Sequence, residues 1–309
     1  MKNIYFIHVI FLSFFITGCT SSDDETLVNE GERKLRQLTI TQVENDATTR
    51  SLLDFTRASL TENEVDNTLS AFWTAGDKLS LCILTDLGSS PIGSIGTLTT
   101  LSAGKTSGFS TSIVCGIGDH IAVVYPDNNI NTATTTNDVT FSLDLTKQDV
   151  KLNTLANKYH FVYGLSKITS VTENTASASI QMKSLLTICK FSFKDNETGL
   201  LIPINTLSIC STGYSSFGEA GTYPESAFIK VDNDNVVFNG NSGSYPLTIQ
   251  CDGQNEIYVA LLPTPGTEQM SFGFTVNNEY YGEANAKLNA GEFVSAPNLK
   301  LTKQTKQTK

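Results

Sequence analysis

Side chains that could take part in catalysis or metal binding are few in this chain. Its 309 residues include six cysteines and three histidines. The two histidines beyond the N-terminal segment, His120 and His160, each border an apolar run, where a histidine is usually structural. A zinc site or a Ser-His-Asp triad would have to be built on one of these two residues. The sequence therefore predicts no catalytic residue, no metal site and no cofactor.

Five of the cysteines are scattered through the chain without a Cys-x-x-Cys pair, and most lie inside strand-like runs. A free cysteine in such a run behaves as a small buried hydrophobic residue. At most one or two opportunistic disulfides are expected among an odd number of cysteines with this spacing. The five residues are Cys82, Cys115, Cys189, Cys210 and Cys251.

Two further patterns suggest enzymes, and neither is complete. Carboxylates are plentiful, as at Asp232, Asp234 and Glu256, but nothing in the sequence pairs them as a glycosidase requires. The tripeptide Gly104-Lys105-Thr106 looks like the end of a phosphate-binding loop. The first glycine of that motif is replaced by Thr99, and no helical pattern follows. We therefore keep an enzyme, such as a glycosidase, only as an alternative that these motifs do not support.

One N-terminal stretch does predict a chemical modification. Lys2 precedes the apolar run Ile4–Ile16, which is followed by Thr17-Gly18-Cys19. A basic start, a short apolar run and a small-residue site form the pattern of an export signal. The run is too short for a comfortable membrane span. An ordinary secretory leader is the alternative, and under either interpretation the protein leaves the cytoplasm.

The residues Ile16-Thr17-Gly18-Cys19 resemble the lipobox of bacterial lipoproteins. This resemblance implies that signal peptidase cleaves between Gly18 and Cys19 and that Cys19 then carries acyl chains. The next residues, Thr20–Glu25, are polar and acidic, so we expect a flexible tether. They resemble the surface-export signal of lipoproteins in one group of Gram-negative anaerobes. Because several acyl chains hold a protein to a membrane more firmly than one, we expect the body to stay at the outer membrane.

The composition limits the classes of partner and of fold. The formal net charge is −10 and the pI is about 4.8, which disfavours nucleic acid or an anionic lipid surface as a partner. Only 17% of the residues are charged, whereas Thr, Ser, Asn and Gly are abundant. That profile favours β-structure with polar loops over helical bundles.

Short strand-like runs recur at even spacing, and no amphipathic helix of three turns is evident. Val139–Leu145 and Met270–Val276 both alternate apolar and polar residues, as strands with one buried face do. The natural solution is two antiparallel β-sandwiches. We place their junction at the turn cluster Lys194–Thr198. The predicted organisation is a signal peptide (1–18), an acidic tether (19–30), an N-terminal domain with a removable early strand (31–194), a C-terminal domain (195–301) and a disordered tail (302–309).

Several stretches together make the chain resemble the fimbrillins, the lipoprotein pilins of those Gram-negative anaerobes. Besides the lipobox, they are Thr56–Ser59, Trp73–Leu79, the strand end Ala122–Pro126 and the long strand that enters the second half. The resemblance implies an all-β protein of two tandem transthyretin-like antiparallel β-sandwich (Greek-key) domains. It also implies a structural or adhesive subunit of a fimbrium at the cell surface, which assembles with other pilin subunits by strand exchange and has no catalytic role.

In that family an arginine-specific protease removes an early strand and so opens a groove for the neighbouring subunit. Here the strand would be Leu38–Val43, and the arginines that fit are Arg50 and Arg57. Each precedes a small residue, Ser51 or Ala58, so the sequence does not choose between them.

The strand that fills the groove would come from the C-terminal run, with Phe293, Leu299 and Leu301 as the groove-filling residues. Pro297 lies inside this run and has no N–H to give to a ladder, so it departs from a regular donor strand.

A second hypothesis is a surface lipoprotein that does not polymerise and that binds a glycan or a host protein through its loops. Its candidate contacts are Trp73, the pair Tyr280-Tyr281 and the Asn- and Thr-rich loop Asp127–Asp138. Arginine-specific proteolysis separates the two hypotheses, because only the first predicts a ladder of oligomers that resist SDS.

Overall fold

A computed structural model describes residues 32–43, 59–84, 95–127, 130–132, 139–213, 218–232, 235–240, 245–266 and 269–304. The predicted cleavage and lipidation site at Gly18 and Cys19 lies outside these residues, and so do Arg50 and Arg57. Those assignments therefore remain predictions.

The all-β prediction is confirmed. The strands are β1 (Lys34–Gln42), β2 (Ser59–Asn63), β3 (Thr68–Phe72), β4 (Lys78–Leu84), β5 (Ile95–Thr100), β6 (Gly108–Cys115), β7 (His120–Tyr125), β8 (Ile130–Thr132), β9 (Val139–Asp144), β10 (Val162–Val171), β11 (Thr175–Ile180), β12 (Lys183–Ser184), β13 (Thr187–Asp195), β14 (Ile204–Ser211), β15 (Ser226–Asp232), β16 (Asn235–Gly240), β17 (Leu247–Gln254), β18 (Ile257–Leu261), β19 (Met270–Val276), β20 (Tyr280–Ala286) and β21 (Phe293–Lys303). The described residues contain one helix, α1 (Leu152–Lys158). No helix among them has the length and apolar character needed to cross a membrane.

The first half of the chain forms a closed barrel. Its strands follow the order β11-β1-β6-β5-β4-β7-β10, and β10 pairs back with β11 to complete the ring. β12 adds to one end of β10. The pair β1–β11 is parallel, with Gln37 opposite Thr175 and Gln42 opposite Ile180. The barrel therefore departs from the predicted purely antiparallel sheets, since a strand from the start of the chain is needed to close it.

The second half forms a seven-stranded sheet in the order β17-β14-β19-β20-β21-β13-β18, which does not close. Its two sides are connected at one corner, where Tyr280 pairs with Lys303 and Tyr281 with Thr302. β13 and β21 form a second parallel pair. Two β-domains were predicted and two are present.

The chain passes from the barrel to this second sheet between Ser184 in β12 and Thr187 in β13. The predicted junction at residues 194 and 195 falls at the far end of β13, the strand that begins the second sheet. The predicted tail likewise starts inside an element, because Thr302 and Lys303 belong to β21. The long apolar run Leu185–Phe193 explains the first difference: its β13 portion is buried on both faces within the second body.

A four-stranded sheet joins the two halves in the order β16-β15-β9-β8. β8 and β9 come from the first half of the chain, whereas β15 and β16 come from the second. The shared rung is the antiparallel pair β9–β15, which runs from Ser226 opposite Asp144 to Val231 opposite Val139. The two bodies are therefore connected by main-chain hydrogen bonds as well as by the covalent chain.

Two hydrophobic cores follow from this arrangement. One fills the barrel and contains Leu38 and Ile40 of β1, Trp73 and Phe109. The other fills the second body and extends under the barrel, where the hairpin β2–β3 and α1 contribute Leu60, Leu69 and Leu155. β1 therefore contributes buried residues only to the core inside the barrel.

Candidate functional site

The strand predicted to be removable, β1, forms part of the barrel wall. It pairs with β6 on one side from Lys34 opposite Cys115 to Thr41 opposite Gly108. On its other side it pairs with β11 over Gln37–Gln42. The two ladders together cover β1 from end to end, so its loss would leave two neighbouring strands with unpaired N–H and C=O groups.

Alternate side chains of β1 point into the barrel. These four are Arg36, Leu38, Ile40 and Gln42, and all of them are buried. Leu38 and Ile40 are completely buried in the barrel core. Burial of an aliphatic side chain of this size stabilises a protein by about 1.5–3 kcal/mol. The strand therefore contributes two apolar residues in the middle and a polar residue at each end.

The C-terminal end of β1 is fixed by the barrel's tryptophan. The indole Nε1 of Trp73 donates a 2.7 Å hydrogen bond to Oε1 of Gln42. The indole ring meets Phe109 and Tyr125 edge to face, with ring centroids 5.2 and 5.4 Å apart. Trp73 is 1% exposed, so it cannot serve as the surface contact predicted under the lipoprotein hypothesis. Its structural role is to close the core beside Gln42.

The N-terminal end of β1 is held by cations. The Arg36 guanidinium is 1% exposed and donates to the carbonyls of Thr172 (2.8 Å) and Cys115. Arg33 pairs with the buried carboxylate of Asp119, which also accepts a 2.9 Å hydrogen bond from the Gly116 N–H. Buried polar groups require such partners, because an unpaired one costs about 1–3 kcal/mol.

A third cation near this end is Lys34, whose ammonium lies 3.5 Å from the carboxylate of Glu173. The cation positions could not be read from the sequence, because the predicted strand Leu38–Val43 begins after Arg33 and Arg36. The structure extends that strand to Lys34. The longer strand could have been found from the sequence by continuing the alternation of inward and outward positions, since Arg36 is in phase with Leu38 and Ile40.

The predicted groove-filling residues lie in β21. Phe293 and Leu301 are buried and Leu299 is half-buried, and all three pack in the core of the second body. β21 runs parallel to β13 from Phe293 opposite Ile188 to Leu301 opposite Asp195. In this chain the candidate donor strand is therefore paired within its own sheet.

Pro297 is accommodated by an irregularity in that ladder. The register of β13 and β21 shifts between Phe191 and Phe193. At the shift, the Asn298 N–H donates a 2.8 Å hydrogen bond to Oγ of Ser192 rather than to a carbonyl, and Asn298 has a φ of +59°. Asparagine tolerates this left-handed conformation better than most residues. The proline thus reshapes the strand without ending it.

The described cysteines are all free, and the chemistry of their thiols is suppressed by burial. Burial raises the pKa of Cys82 to about 11, and burial followed by the nearby Asp252 raises the pKa of Cys251 to about 11. Burial also raises the pKa of Cys189. Because the thiolate is the nucleophile and the metal ligand, these side chains are poorly suited to either role at neutral pH.

The candidate histidines and carboxylates do not converge. His160 is completely buried, and Glu256 is engaged with Lys190, whose Nζ lies 3.1 Å away. Asp232 ends β15, and Asp234 lies outside the described residues. Within the described part of the chain, no three His, Cys, Asp or Glu residues are placed to hold a metal ion.

Lys190 belongs to a cluster that the sequence did not indicate. Its ammonium lies 2.9 Å from Oε1 of Glu62 in β2, and the Tyr258 hydroxyl donates to the other oxygen of the same carboxylate. Glu62 and Lys190 are 9% and 12% exposed. The cluster fastens the hairpin β2–β3, which follows the segment with Arg50 and Arg57, to β13 and β18 of the second body.

Exposed aromatic side chains are available for surface contacts. Tyr245 is 71% exposed, and Tyr281 is 36% exposed, with its hydroxyl donating to Glu283. Tyr280 is half-buried against the second core. Of the predicted loop Asp127–Asp138, only Asp127 and the short strand β8 are described.

The fold of this chain is similar to that of a solved protein structure. No protein-family model matches the chain, and no curated protein matches it. A candidate cell adhesion protein from Bacteroides ovatus has a similar fold, with a TM-score of 0.50 and 13% identity over 89% of this chain and 97% of that chain. A candidate cell adhesion protein from Bacteroides uniformis matches with a TM-score of 0.47 and 13% identity, over 87% of this chain and 92% of that one.

A fimbrial protein from Bacteroides ovatus also matches, with a TM-score of 0.37 and 10% identity over 88% of this chain and 50% of that chain. The resemblance predicted from the sequence is thus confirmed at the level of fold: this chain is similar in fold to the candidate cell adhesion protein of Bacteroides ovatus, at low sequence identity.

Proposed function

We propose that this protein is a fimbrial subunit displayed at the cell surface, and that it assembles with other subunits by strand exchange. The observation that carries the proposal is the position of β1, which is paired along both sides in the wall of a closed barrel. Removal of one such strand opens a groove with two backbone edges and an apolar floor. An extended segment of another subunit can fill both by β-augmentation.

The exported form follows from the N-terminal motif. Cys19 carries the lipid after cleavage at Gly18, and the acidic tether spaces the body from the outer membrane. The subunit then acts by main-chain pairing and has no catalytic role. Its partners are other pilin subunits, the outer membrane through the lipid, and a host protein or glycan where the fimbrium is adhesive.

Cleavage at Arg50 or Arg57 would sever β1 from the rest of the barrel in one piece. The arginines inside the β1 segment are less suitable substrates for a protease. Arg36 is buried with its guanidinium hydrogen-bonded, and Arg33 is paired with Asp119. Hairpin β2–β3 would remain in place after cleavage, since Glu62 is held by Lys190 and Tyr258.

The donor in this scheme is β21, and it must leave its own sheet. Its contact with β20 is short, limited to the pairs at Tyr280 and Tyr281. The longer ladder with β13 is interrupted at Pro297 and Asn298. Both features lower the cost of detaching the strand compared with an uninterrupted pairing of the same length.

The test is arginine-specific proteolysis of the purified lipid-free chain. We expect loss of β1 and a ladder of oligomers that survives SDS and disappears on boiling. The double variant Arg50→Lys, Arg57→Lys should keep β1 and stay monomeric under the same protease. A wild-type chain that loses β1 and remains monomeric would contradict assembly by strand exchange.

One observation favours a second function, a surface lipoprotein that does not polymerise and binds a glycan or host protein. The donor strand is already used, because Phe293 and Leu301 of β21 are 2% and 1% exposed in the chain's own core. Tyr245 and Tyr281 are exposed and could contact such a ligand. N-terminal sequencing of the surface-shed protein separates the two. A start at Ser51 or Ala58 indicates maturation by cleavage, whereas a blocked, acylated terminus indicates a stand-alone or anchoring lipoprotein.

A further inference from the structure

The groove that β1 fills in the barrel wall, which we call the β1 seat, differs in charge between its two ends. At the N-terminal end, Lys34 and Arg36 of β1 and the preceding Arg33 face acceptors that belong to the rest of the barrel. These acceptors are the carbonyls of Cys115 and Thr172 and the carboxylates of Asp119 and Glu173. We call this group of four acceptors the anionic end. It stays with the barrel when β1 leaves, and it then lacks its positive partners.

The opposite end of the seat presents a donor instead. The indole N–H of Trp73 points at the position of Gln42, whose Oε1 accepts its hydrogen bond. Between the two ends lie the apolar positions of Leu38 and Ile40. The barrel therefore presents, in order, a cation position, two apolar positions and an acceptor position on alternate residues of the strand that fills it.

From this pattern we infer that the groove is directional: the replacing strand is Leu299–Lys303 of a second copy of this chain, and it enters in the direction opposite to β1. Lys303 takes the position of Arg36, Leu301 that of Leu38, and Leu299 that of Ile40. This inference rests on the proposed function, since it requires β1 to be removed. It adds the register and the polarity of the exchange.

The apolar positions alone do not set the direction. Leu299 and Leu301 are two residues apart, so they match Leu38 and Ile40 in either direction. In the direction of β1, Pro297 would fall at the Arg36 position and leave the anionic end without a cation. Lys303 would then fall beside the Trp73 N–H, which sets two donors against each other. In the reversed direction Pro297 falls at the Gln42 position and offers the Trp73 N–H no side-chain acceptor, but the anionic end keeps a cation. Leaving the buried acceptors at Cys115 and Asp119 without any cation is the larger cost, so the anionic end decides the direction.

Net charge favours the same direction. The body is acidic, with a formal charge of −10, whereas the last ten residues carry four lysines and no carboxylate side chain. In the reversed direction the lysines that follow Leu301 lie towards Asp119 and Glu173. Charge complementarity of this kind fixes the register and speeds association more than it adds affinity.

Main-chain pairing permits the reversal. β1 is antiparallel to β6 and parallel to β11. A reversed strand would be parallel to β6 and antiparallel to β11, so it would still form one ladder of each kind. The two kinds differ only slightly in stability per residue.

The experiment uses the full chain nicked by an arginine-specific protease, after which the protease is inhibited. Trp73 is the chain's one tryptophan and lies at the Gln42 end of the groove, so its fluorescence reports which end of a bound peptide is near it. Two peptides of residues 293–304 carry a nitroxide quencher on a cysteine, at Asn298 in one and at Thr302 in the other. We expect the Asn298 label to quench Trp73 and the Thr302 label to leave most of its emission.

Charge-reversed peptides test the cation position. Lys303→Glu should weaken displacement of β1 by at least about tenfold, because it sets a carboxylate against the anionic end. Lys300→Glu changes the peptide charge equally but faces outward in this register, so its effect should stay within about twofold. A peptide of residues 32–43, the β1 sequence itself, is the positive control for an accessible groove.

The outcomes separate the two proposals. If the β1 peptide rebinds but the C-terminal peptide does not, or if the Thr302 label is the better quencher, the reversed insertion is overturned and strand exchange as such survives. Equal weakening by Lys303→Glu and Lys300→Glu also overturns it. If neither the β1 peptide nor the C-terminal peptide binds the nicked chain, the exchange function itself falls.

Discussion

The indole of Trp73 and the side chain of Gln42 are joined by a buried 2.7 Å hydrogen bond, which ties the barrel's core to the strand that closes its wall. Gln42 is the last residue of β1, and Trp73 follows β3 in the chain. Any event that moves β1 must break this bond and change the surroundings of the chain's one tryptophan.

Replacing Gln42 with alanine should therefore destabilise the barrel. The change removes the acceptor and leaves the Trp73 N–H without this partner, for which we expect a loss of about 1–3 kcal/mol in the free energy of unfolding. Urea denaturation followed by tryptophan fluorescence measures it. Gln37→Ala is the matched control, because Gln37 lies on the exposed face of the same strand. Equal losses in the two variants would contradict the structural role given to Gln42.

Removing the Lys190 charge should be costly in a different way. Lys190→Met leaves the nearly buried Glu62 carboxylate without its cation, and breaking a buried pair from one side costs about 3–5 kcal/mol. The free energy of unfolding near neutral pH measures the effect. Lys151→Met is the control, because Lys151 forms an exposed pair with Asp252 at a similar distance. A small loss at Lys190 would show that the hairpin β2–β3 is held by its apolar side chains instead.

The same cluster predicts weaker folding at high pH. Burial, the hydrogen bond to Glu62 and the Glu62 charge raise the pKa of Tyr258. Burial lowers the pKa of Lys190, but its hydrogen bonds to Glu62 and Glu256 outweigh this and raise the pKa overall. A group whose pKa is raised on folding stabilises the fold below its unfolded pKa, and this contribution is lost as the pH rises further.

Stability should therefore decline above about pH 10, where the unfolded tyrosine and lysine begin to lose protons. Tyr258→Phe removes one of the two titrating groups and should make the decline shallower, whereas Tyr245→Phe, at an exposed position, should leave it unchanged. Urea midpoints measured between pH 8 and pH 11 give the two slopes. Identical slopes for Tyr258→Phe and wild type would contradict the coupling.

Substitutions of Asn298, the residue with positive φ after Pro297, should differ sharply in their effect on the free energy of unfolding. Asn298 has a φ of +59°, where a β-branched side chain is strained. Asn298→Val should cost about 1–3 kcal/mol in the free energy of unfolding, and Asn298→Gly should be nearly neutral. Thermal and urea denaturation of both variants test this. If valine is tolerated as well as glycine, the irregularity at Pro297 is not required for β21 to pair.

Gly282 of β20 lies so close to β21 that a side chain there should weaken the pairing of the C-terminal end of β21. A Cβ on Gly282 would lie 2.6 Å from Cδ2 of Leu301 and 2.8 Å from the carbonyl oxygen of Lys300. Gly282→Ala should push the two strands apart and speed amide hydrogen exchange in residues 299–303. Gly213→Ala is the control, since an added Cβ there meets nothing within 4 Å. Unchanged exchange in both variants would show that this corner does not limit the release of β21.

The strands were largely predictable because alternation is a local property. The predicted strand Leu38–Val43 lies within β1 except for Val43, and Met270–Val276 forms β19 with the predicted face buried. Closure of the barrel was not predictable, because β1 pairs with β11 across more than a hundred residues and alternation does not specify a partner. The alternation also did not indicate that β1 and β11 run parallel.

The polar interactions of the candidate site depend even more on long-range geometry. Glu62 and Lys190 are 128 residues apart in the chain, and Arg36 and Thr172 are 136 apart. Sequence alone placed Glu256 among candidate enzymatic carboxylates, whereas its neighbour in space is Lys190. Trp73 was a candidate surface contact because aromatic type does not reveal burial. In each case the physical information lies in which strands become neighbours.

Under the proposed function as a fimbrial subunit, the ladder between β9 and β15 would affect how the protein carries tension. A filament pulled from outside transmits force through every subunit, from one neighbour's strand to the next. Here a load that parts the barrel from the second body cannot be taken by the short link at Leu185 and Leu186 alone. It must also break the rungs between Asp144 and Ser226 and between Val139 and Val231, so these cross-connections would resist stretching before either core yields.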